Sequence, residues 1–303
     1  MVTWHRGNWK LRQPGLNNLS EPIERGRFIE VAPAVRIYCA EDDFTDGWRQ
    51  ADAVLMIHGI AEHGGIWRGW VPHLARHYRV LRPDLRGFGR SSPLPTGKDF
   101  TLADWTDDLQ AILGALQHKR VHLIATKVGA QVAFELAQRQ LPNVASMTLA
   151  GMLPSPSAAL GASLGDLLKR IKQNGVEDWA RTTMRGRMGN SLSDDAMAWW
   201  TALMGEAPLA SVLTSMAMLA DLHGPRFPER VICPTLFITA GQRPAADQYN
   251  QQPDQADMDK LIARVPNARS RSIEADSFHL AATHPDACAA LTVDFIKAVN
   301  GQS

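Results

Sequence analysis

The chain has 303 residues, of which 45% are hydrophobic and 21% charged, a composition typical of a globular protein with one substantial core. Its 32 lysines and arginines nearly balance its 31 aspartates and glutamates, which argues against attraction to nucleic acid or to an anionic membrane. The three cysteines are scattered and form neither a disulfide framework nor a zinc-binding pattern. We therefore expect a small-molecule partner, no metal, no nucleic acid and no membrane, and leave a homo-oligomer open.

The first 26 residues show no periodicity and are predicted to form an N-terminal arm. They contain no apolar segment of the kind found in secretory signal peptides, and no apolar run in the chain is long enough to span a bilayer. We expect a cytoplasmic protein.

Alternating apolar and polar residues next predict an antiparallel hairpin from residues 28–31 and 35–40. After the hairpin, short apolar runs alternate with helical patterns. These runs predict strands at 53–57, 78–81, 121–125 and 145–149, and helices at 67–77, 101–117 and 128–140. Thr101 and Asp104 have the spacing of a capping box at the start of the second helix.

Residues 157–222 carry a helical pattern with breaks at Gly175, at 186–189 and at Pro208. Strands resume at 231–240 and 269–275, and a last helix is predicted at 285–299. Alternating strands and helices predict an α/β fold with a mostly parallel central sheet and helices on both faces. We expect a core formed by 27–151 and 229–303, with 152–228 inserted as a helical cap over the carboxyl edge of the sheet, where such sheets bind ligands.

Residues 121–130 join a predicted strand to a predicted helix through a short turn centred on Lys127. A sharp turn of this kind lifts its central side chain above the sheet and needs small residues two positions away on either side. Ala125 and Gly129 meet that need. The pattern predicts that the Lys127 side chain is presented above the sheet.

Four motifs in chain order resemble the α/β-hydrolase family, in particular its capped branch of esterases, lactonases and C–C bond hydrolases. They are the turn His58-Gly59-Ile60, the loop 84–91 with the pattern D-x-R-G-x-G-x-S, the turn at Lys127, and His279 ahead of the last helix. The resemblance covers residues 27–300 and implies the α/β-hydrolase fold. It also implies an oxyanion hole formed by the backbone N–H groups of Ile60 and Val128, with His279 as the catalytic histidine.

Two positions depart from the family's pattern. Its nucleophile is usually serine and sometimes cysteine or aspartate, but the turn carries Lys127. Its acid normally follows the strand ending near residue 240, where 241–244 contain no carboxylate. Asp247 is a displaced candidate for the partner of His279, and Asp276 is a weaker one.

A lysine changes the chemistry that this turn can perform. An amine that attacks an ester forms an amide, which is far more inert than the usual acyl-enzyme, so turnover by that route is not expected. A helix N-terminus and burial under a cap both favour the neutral amine, which can form a Schiff base with a ketone or act as an acid or base. A charged Lys127 could instead hold a carboxylate or enolate while His279 activates water.

Several other side chains are candidates for substrate contacts. His58 and Glu62 lie in the turn after the strand at 53–57, and Trp179 and Trp200 belong to a set of tryptophans and methionines in the predicted cap. Such apolar stripes usually form the core of the cap, but a cap must also present a face to the cavity, which favours an apolar or aromatic substrate. Three arginines add the possibility of an anionic group on that substrate: Arg181, Arg185 and Arg187.

These observations predict an atypical α/β-hydrolase-fold enzyme that acts at a carbonyl of a small apolar or aromatic substrate. The reaction would be ester or lactone hydrolysis or C–C bond cleavage, with Lys127, His279 and Asp247 as catalytic residues and no cofactor. The alternative is a non-catalytic ligand-binding or sensing protein whose hydrolase site has been silenced.

Overall fold

The computed structural model describes residues 25–48, 50–95, 100–160, 163–241 and 253–301. Within these residues the chain forms an eight-stranded sheet with the order β1-β2-β4-β3-β5-β6-β7-β8. The strands are β1 (Arg25–Ala32), β2 (Val35–Asp42), β3 (Ala53–Ile57), β4 (Arg79–Pro83), β5 (Val121–Ala125), β6 (Val144–Ala150), β7 (Thr235–Ala240) and β8 (Ala268–Ile273).

The predicted hairpin is present, since β1 and β2 pair antiparallel with Ile29 opposite Ile37. β2 is also antiparallel to β4, and the remaining neighbours are parallel. β1 begins at Arg25, so its first residues lie where the N-terminal arm was predicted. The rest of the predicted arm, residues 1–24, lies outside the described residues.

The two central strands have the bounds that their apolar runs predict. Every residue of β3 and β5 is buried, because helices cover both faces of a parallel sheet and leave no polar side to the strand. β7 starts at Thr235 and not at residue 231 as predicted. Pro234 precedes it and has no N–H for a strand ladder, although its carbonyl accepts the N–H of Met147 at 2.9 Å.

The α-helices are α1 (Val71–Leu74), α2 (Leu102–Leu116), α3 (Lys127–Gln138), α4 (Pro156–Leu160), α5 (Ser163–Met188), α6 (Asp194–Gly205), α7 (Leu209–Met218), α8 (Gln255–Ala263), α9 (Leu280–Thr283) and α10 (Pro285–Val299). The helix predicted at 67–77 is instead a 3₁₀ helix, Gly64–Gly69, followed by α1. Pro72 explains the division, because proline is tolerated in the first turn of a new helix but would break a continuous one. The capping box of α2 is confirmed, since Asp104 accepts the N–H of Thr101 at 2.9 Å.

Four helices, α4 to α7, occupy the chain between β6 and β7. α5 is interrupted at Gly175, whose φ of 87° and ψ of 171° are not helical, and α7 begins after Pro208, as the sequence predicts. α5 runs through Gly186 and ends at Met188, so the third predicted break falls at the end of the helix. α5 packs against both α6 and α7. We call residues 152–228 the helical insertion.

No single helix in the described parts of the chain is long and apolar enough to cross a membrane. In the described residues, α6 and the segment Leu209–Asp221 together have the length and hydropathy of a membrane span, but the two segments meet at an angle of 89°.

Candidate functional site at the carboxyl edge of the sheet

The turn between β5 and α3 holds Lys127 in the left-handed region, with a φ of 53°. This conformation is unfavourable for a residue with a β-carbon, so surrounding contacts must maintain it. The N–H of Lys127 donates to the carbonyl of Gly151 at 2.9 Å, and the N–H of Thr126 donates to that of Ile57 at 3.2 Å. The turn is thus tied to the strands on both sides of β5, and Lys127 lies at its apex as predicted.

The Lys127 side chain lines a cavity of about 110 Å³ at the carboxyl edge of the sheet. Its ammonium group forms an ion pair and hydrogen bond with Oε1 of Glu62, 65 residues earlier in the chain. The other carboxylate oxygen of Glu62, Oε2, accepts the N–H of Gly59 at 2.8 Å. One carboxylate oxygen is therefore anchored to the turn after β3, and the other is in contact with the amine.

Three influences act on the protonation of Lys127. Burial lowers the pKa of its ammonium group, because the charged form loses its hydration. The neighbouring Glu62 carboxylate raises that pKa, and the positive charge of Arg187 lowers it. Burial dominates, so the pKa of Lys127 lies below its ordinary value. The amine can release its proton more readily than a surface lysine.

His279 lies just before α9 and lines the same cavity. Burial lowers the pKa of its ring well below the ordinary value, and the charges of Lys127 and Arg187 lower it further. The imidazole is consequently neutral near pH 7. Its Nδ1 is buried and has no hydrogen-bond partner among the described residues, while its backbone N–H donates to Oγ of Ser277 at 3.0 Å.

Asp276, the weaker candidate for the partner of His279, does not bind the buried Nδ1 of the imidazole. Asp276 accepts hydrogen bonds from the backbone N–H of Asn190 at 2.8 Å and from its Nδ2 at 3.0 Å, so it ties the end of α5 to the segment before His279. After β6, a β-carbon on Gly151 would lie 1.8 Å from the carbonyl oxygen of Phe278, so no acidic side chain fits there. Asp247 lies outside the described residues.

The two residues predicted to form an oxyanion hole, Ile60 and Val128, both line the cavity beside Lys127. Val128 is in the first turn of α3, where backbone N–H groups have no acceptor within the helix. In the described ranges neither N–H has a hydrogen-bond acceptor. Both donors are therefore available to a ligand oxygen.

The helical insertion supplies the opposite wall of the cavity. Trp179 lines it as predicted, whereas Trp200 packs edge-to-face against Trp199 at 5.0 Å and is not part of the lining. The residues that the insertion contributes are mostly apolar: Leu153, Pro156, Leu167, Trp179, Arg187, Met216 and Leu219.

Arg187 is the charged member of that wall. Its guanidinium lies 4.3 Å from the ring centroid of Trp179, and its Nη1 is 3.2 Å from Sδ of Met204. Burial lowers the pKa of Arg187 to about 10, so it stays charged at pH 7. The other two arginines considered, Arg181 and Arg185, are exposed and pair with Asp178 and Asp194. Of the three, Arg187 alone faces the cavity.

His58, predicted to contact substrate, is buried and has both ring nitrogens in use. Its Nε2 accepts the N–H of Leu85 at 2.8 Å, which leaves Nδ1 protonated to donate to the carbonyl of Gly59 at 2.7 Å. His58 therefore braces two loops and has no polar group left for a substrate. Glu62, also predicted to bind substrate, is the ionic partner of Lys127, a pairing that the sequence analysis missed.

A second, larger cavity of about 390 Å³ lies on the other side of Glu62. Its lining is more polar and comes from β2, the turn after β3, the loop after β4 and the end of α6: Tyr38, Ala40, Ala61, Glu62, His63, Gly64, Gly65, Asp84, Gly89, Arg90, Leu203, Glu206, Ala207 and Pro208. The Lys127–Glu62 pair thus lies between the two cavities. No cluster of histidine, cysteine and acidic residues suited to a metal ion occurs in the described part of the chain.

Known proteins similar to this chain share one fold and have several different activities. Residues 52–186 match a family model described as the alpha/beta hydrolase fold. A pimeloyl-[acyl-carrier protein] methyl ester esterase from Methylococcus capsulatus is 41% identical over 99 residues, which are 32% of this chain and 35% of the esterase. A 2-hydroxy-6-oxo-2,4-heptadienoate hydrolase from Pseudomonas putida is 33% identical over 101 residues, covering 32% of this chain and 36% of that enzyme.

The chain thus spans about a third of the length of these curated relatives. The similarity extends further in three dimensions. The crystal structure of the enol-lactonase from Burkholderia xenovorans LB400 superimposes with a TM-score of 0.75 and 17% identity, covering 89% of this chain and 100% of the lactonase. The strand order and this superposition show that the chain has the α/β-hydrolase fold, and the family model of that fold matches its residues 52–186.

Proposed function

We propose that this protein is an atypical enzyme that acts at a carbonyl group of a small apolar or aromatic substrate, with Lys127 and His279 in place of a serine-based triad. The observation that carries the proposal is the Lys127 amine at the apex of the β5–α3 turn, in a cavity that also contains His279. The relatives named above are a methyl ester esterase and a 2-hydroxy-6-oxo-2,4-heptadienoate hydrolase. These names support a carbonyl-directed reaction in this chain.

The covalent version of the reaction begins with the neutral amine of Lys127. Burial favours that form, and the neighbouring Glu62 carboxylate can accept the proton. A neutral amine adds to a ketone or aldehyde to form an imine, which withdraws electrons from the adjacent carbon and so favours C–C cleavage. Attack on an ester would give an inert amide, so the covalent version excludes ordinary esters as substrates.

In a second version of the reaction Lys127 forms no covalent bond with the substrate. The neutral form of the His279 imidazole favours this version. His279 lines the cavity, and since its Nδ1 is buried, the neutral imidazole can remove a proton from water through Nε2. The free N–H groups of Ile60 and Val128 would then stabilise the oxyanion that forms when this water attacks an ester or lactone. In this version Lys127 and Glu62 remain an ion pair.

The experiment that separates these versions combines reductive trapping with activity assays. The protein is incubated with a simple ketone and cyanoborohydride, and the peptide carrying Lys127 is analysed by mass spectrometry. Imine chemistry predicts that Lys127 is alkylated faster than the exposed Lys119, which serves as an internal reference. A parallel panel of aryl esters and lactones tests the hydrolytic version, with His279→Ala as the inactive control.

The alternative is a ligand-binding or sensing protein with a silenced site. It predicts that small aromatic compounds bind in the cavity but that Lys127 is not alkylated preferentially and no ester, lactone or ketone is converted. That combination of results would refute the enzymatic proposal.

A further inference from the structure

We propose that Glu62 is the proton shuttle for imine formation at Lys127, carrying protons from the amine nitrogen to the oxygen of a ketone or aldehyde. This inference deepens the covalent version of the proposed function and rests on it. It assigns a catalytic role to a residue outside the serine, histidine and acid positions of the fold.

The first support is the geometry of the carboxylate. Oε2 of Glu62 is held by the N–H of Gly59 at 2.8 Å, so rotation of the carboxylate is restricted and Oε1 is directed at the Lys127 amine. Glu62 is only 6% exposed, so little bulk water competes for this contact. A fixed acceptor touching the nucleophilic nitrogen satisfies the distance requirement for a general acid or base.

The second support is the space around Gly59. A β-carbon at this position would lie 3.0 Å from Oε2 of Glu62 and 3.0 Å from Cδ of Lys127. The two side chains therefore pack together in the space above the glycine. This packing holds the amine and the carboxylate in contact on the same side of the turn.

The proton balance needs no other group. Glu62 first takes a proton from the Lys127 ammonium, and the nitrogen lone pair then forms a bond to the carbonyl carbon while the C–O π bond breaks. The oxygen receives the proton held by Glu62. Glu62 then removes a second proton from nitrogen, which gives a neutral carbinolamine. Glu62 passes this second proton to the hydroxyl, which leaves as water as the C=N bond forms. The product is a protonated imine beside a Glu62 carboxylate, with the starting net charge.

No other titratable side chain in the described residues is hydrogen-bonded to the Lys127 amine. Arg187 lowers the pKa of Lys127 through its positive charge, and His279 remains free for a later proton transfer. Glu62 acts electrostatically on the buried His58. The other charged and titratable groups near the pair line the two cavities: Tyr38, His63, Asp84, Arg90 and Glu206 in the larger one, and Arg187 and His279 in the smaller one.

The test measures the rate of reductive alkylation of Lys127 by acetone and cyanoborohydride, relative to Lys119 in the same sample, from neutral to alkaline pH. Glu62→Gln is compared with the wild-type protein. We expect the variant to lose about 100-fold in rate even at alkaline pH, as loss of general acid–base catalysis predicts. We also expect the midpoint of its pH profile to move to lower pH, because the negative charge that favours the ammonium form is gone.

Two further variants make the test decisive. Glu62→Asp keeps the charge but withdraws the carboxylate by one methylene, so we expect a reduced rate without the downward shift of the midpoint. Glu206→Gln makes the same chemical change at an exposed carboxylate of the larger cavity and should leave both quantities unchanged. Circular dichroism and urea unfolding establish that each variant is folded.

The possible failures are distinguishable. Wild-type Lys127 that reacts no faster than Lys119 would overturn the covalent version of the proposed function. A different result would overturn the shuttle alone. In that case Lys127 reacts preferentially in the wild type, and its rate in Glu62→Gln or Glu62→Asp stays within about twofold of the wild-type rate at alkaline pH.

Discussion

The α-carbon of Gly129 faces the carbonyl oxygen of His58 so closely that a β-carbon would lie 2.3 Å from it. The same β-carbon would lie 2.5 Å from the carbonyl oxygen of Ile57. The start of α3 therefore packs directly against the backbone at the end of β3. This contact places position 127 beside the turn that carries Glu62. It is a backbone contact, so it does not depend on which side chain occupies that position.

Substitution Gly129→Ala should destabilise the fold, because the added methyl group forces the helix away from β3. We expect a loss of about 1–3 kcal/mol in the free energy of unfolding, measured with urea. The matched control is Gly165→Ala, in an exposed part of α5 where a β-carbon meets nothing within 4 Å. It should gain about 0.5–1 kcal/mol. Equal stability of the two variants would contradict the packing argument.

Substitution Lys127→Ser alone should not produce a competent esterase. It leaves Glu62 buried and unpaired beside the oxyanion donors, where its negative charge repels the oxyanion of the transition state. The double variant Lys127→Ser with Glu62→Gln removes that charge and should show burst acylation by an activated aryl ester. We expect acylation at least about 10-fold faster than in the single variant, the equivalent of about 1.4 kcal/mol. Equal rates would show that Glu62 does not oppose oxyanion formation.

The binding of a ligand with an anionic group should depend on Arg187. We expect substitution Arg187→Met to weaken the binding of benzoate by about 10-fold or more, because one charge-assisted hydrogen bond is lost. Isothermal titration calorimetry with benzoate and with neutral benzamide gives the comparison, and benzamide binding should change little. Arg185→Met is the control, since Arg185 is exposed and pairs with Asp194 outside the cavity. A benzoate affinity equal to wild type in Arg187→Met would contradict this assignment.

Mild acid should destabilise the protein through its buried histidines. Burial lowers the pKa of His58, His122 and His279 below the ordinary value of 6.5. As pH falls through 6.5, these side chains become protonated in the unfolded chain but stay neutral in the native one, so protonation favours unfolding. Each contributes up to about 1.4 kcal/mol per pH unit until its native pKa is reached. Urea unfolding at about pH 7.5 and pH 5.5 measures the loss, and a flat profile would contradict it.

Asp276 should act in stability and not in catalysis, because its carboxylate binds Asn190. We expect Asp276→Ala to cost about 1 kcal/mol of unfolding free energy and to leave the pH profile of Lys127 alkylation unchanged. The pH dependence of any esterase or C–C cleavage activity should also be unchanged. A shifted activity profile would instead make Asp276 the acid partner of His279. The same measurement on Asp247→Asn tests the displaced candidate.

Much of the fold could be predicted from local patterns. The bounds of β3, β5 and α10 agree with the apolar runs and helical periodicity of the sequence. The capping box at Thr101 needed only two residues three positions apart. Errors occurred where a proline altered an element, as at Pro72 and at Pro234 before β7. The strand and helix bounds and the capping box are determined by neighbouring residues, so they can be predicted without knowing the tertiary structure.

The loop 84–91 shows where sequence reasoning about side chains fails. Asp84 lies close in sequence to two arginines, Arg86 and Arg90. Asp84 instead accepts the backbone N–H groups of Gly64 and Arg90 at 2.7 and 2.9 Å, while Arg86 pairs with the buried Asp108. Each carboxylate is bound by the donor that folding brings nearest to it. Nothing in the local sequence ranks those donors.

The sequence by itself determined the α/β-hydrolase topology, the turn with Lys127 at its apex, and the position of His279 after the last strand. These follow from hydrophobic periodicity, from small residues at a sharp turn, and from the order of motifs along the chain. Only the tertiary structure decided that Glu62 neutralises Lys127, that Arg187 faces the cavity, and that His58 and Asp276 bind backbone and loop groups. Ion pairing and burial depend on distances between residues remote in the chain, and packing of the sheet, the loops and the helical insertion sets those distances.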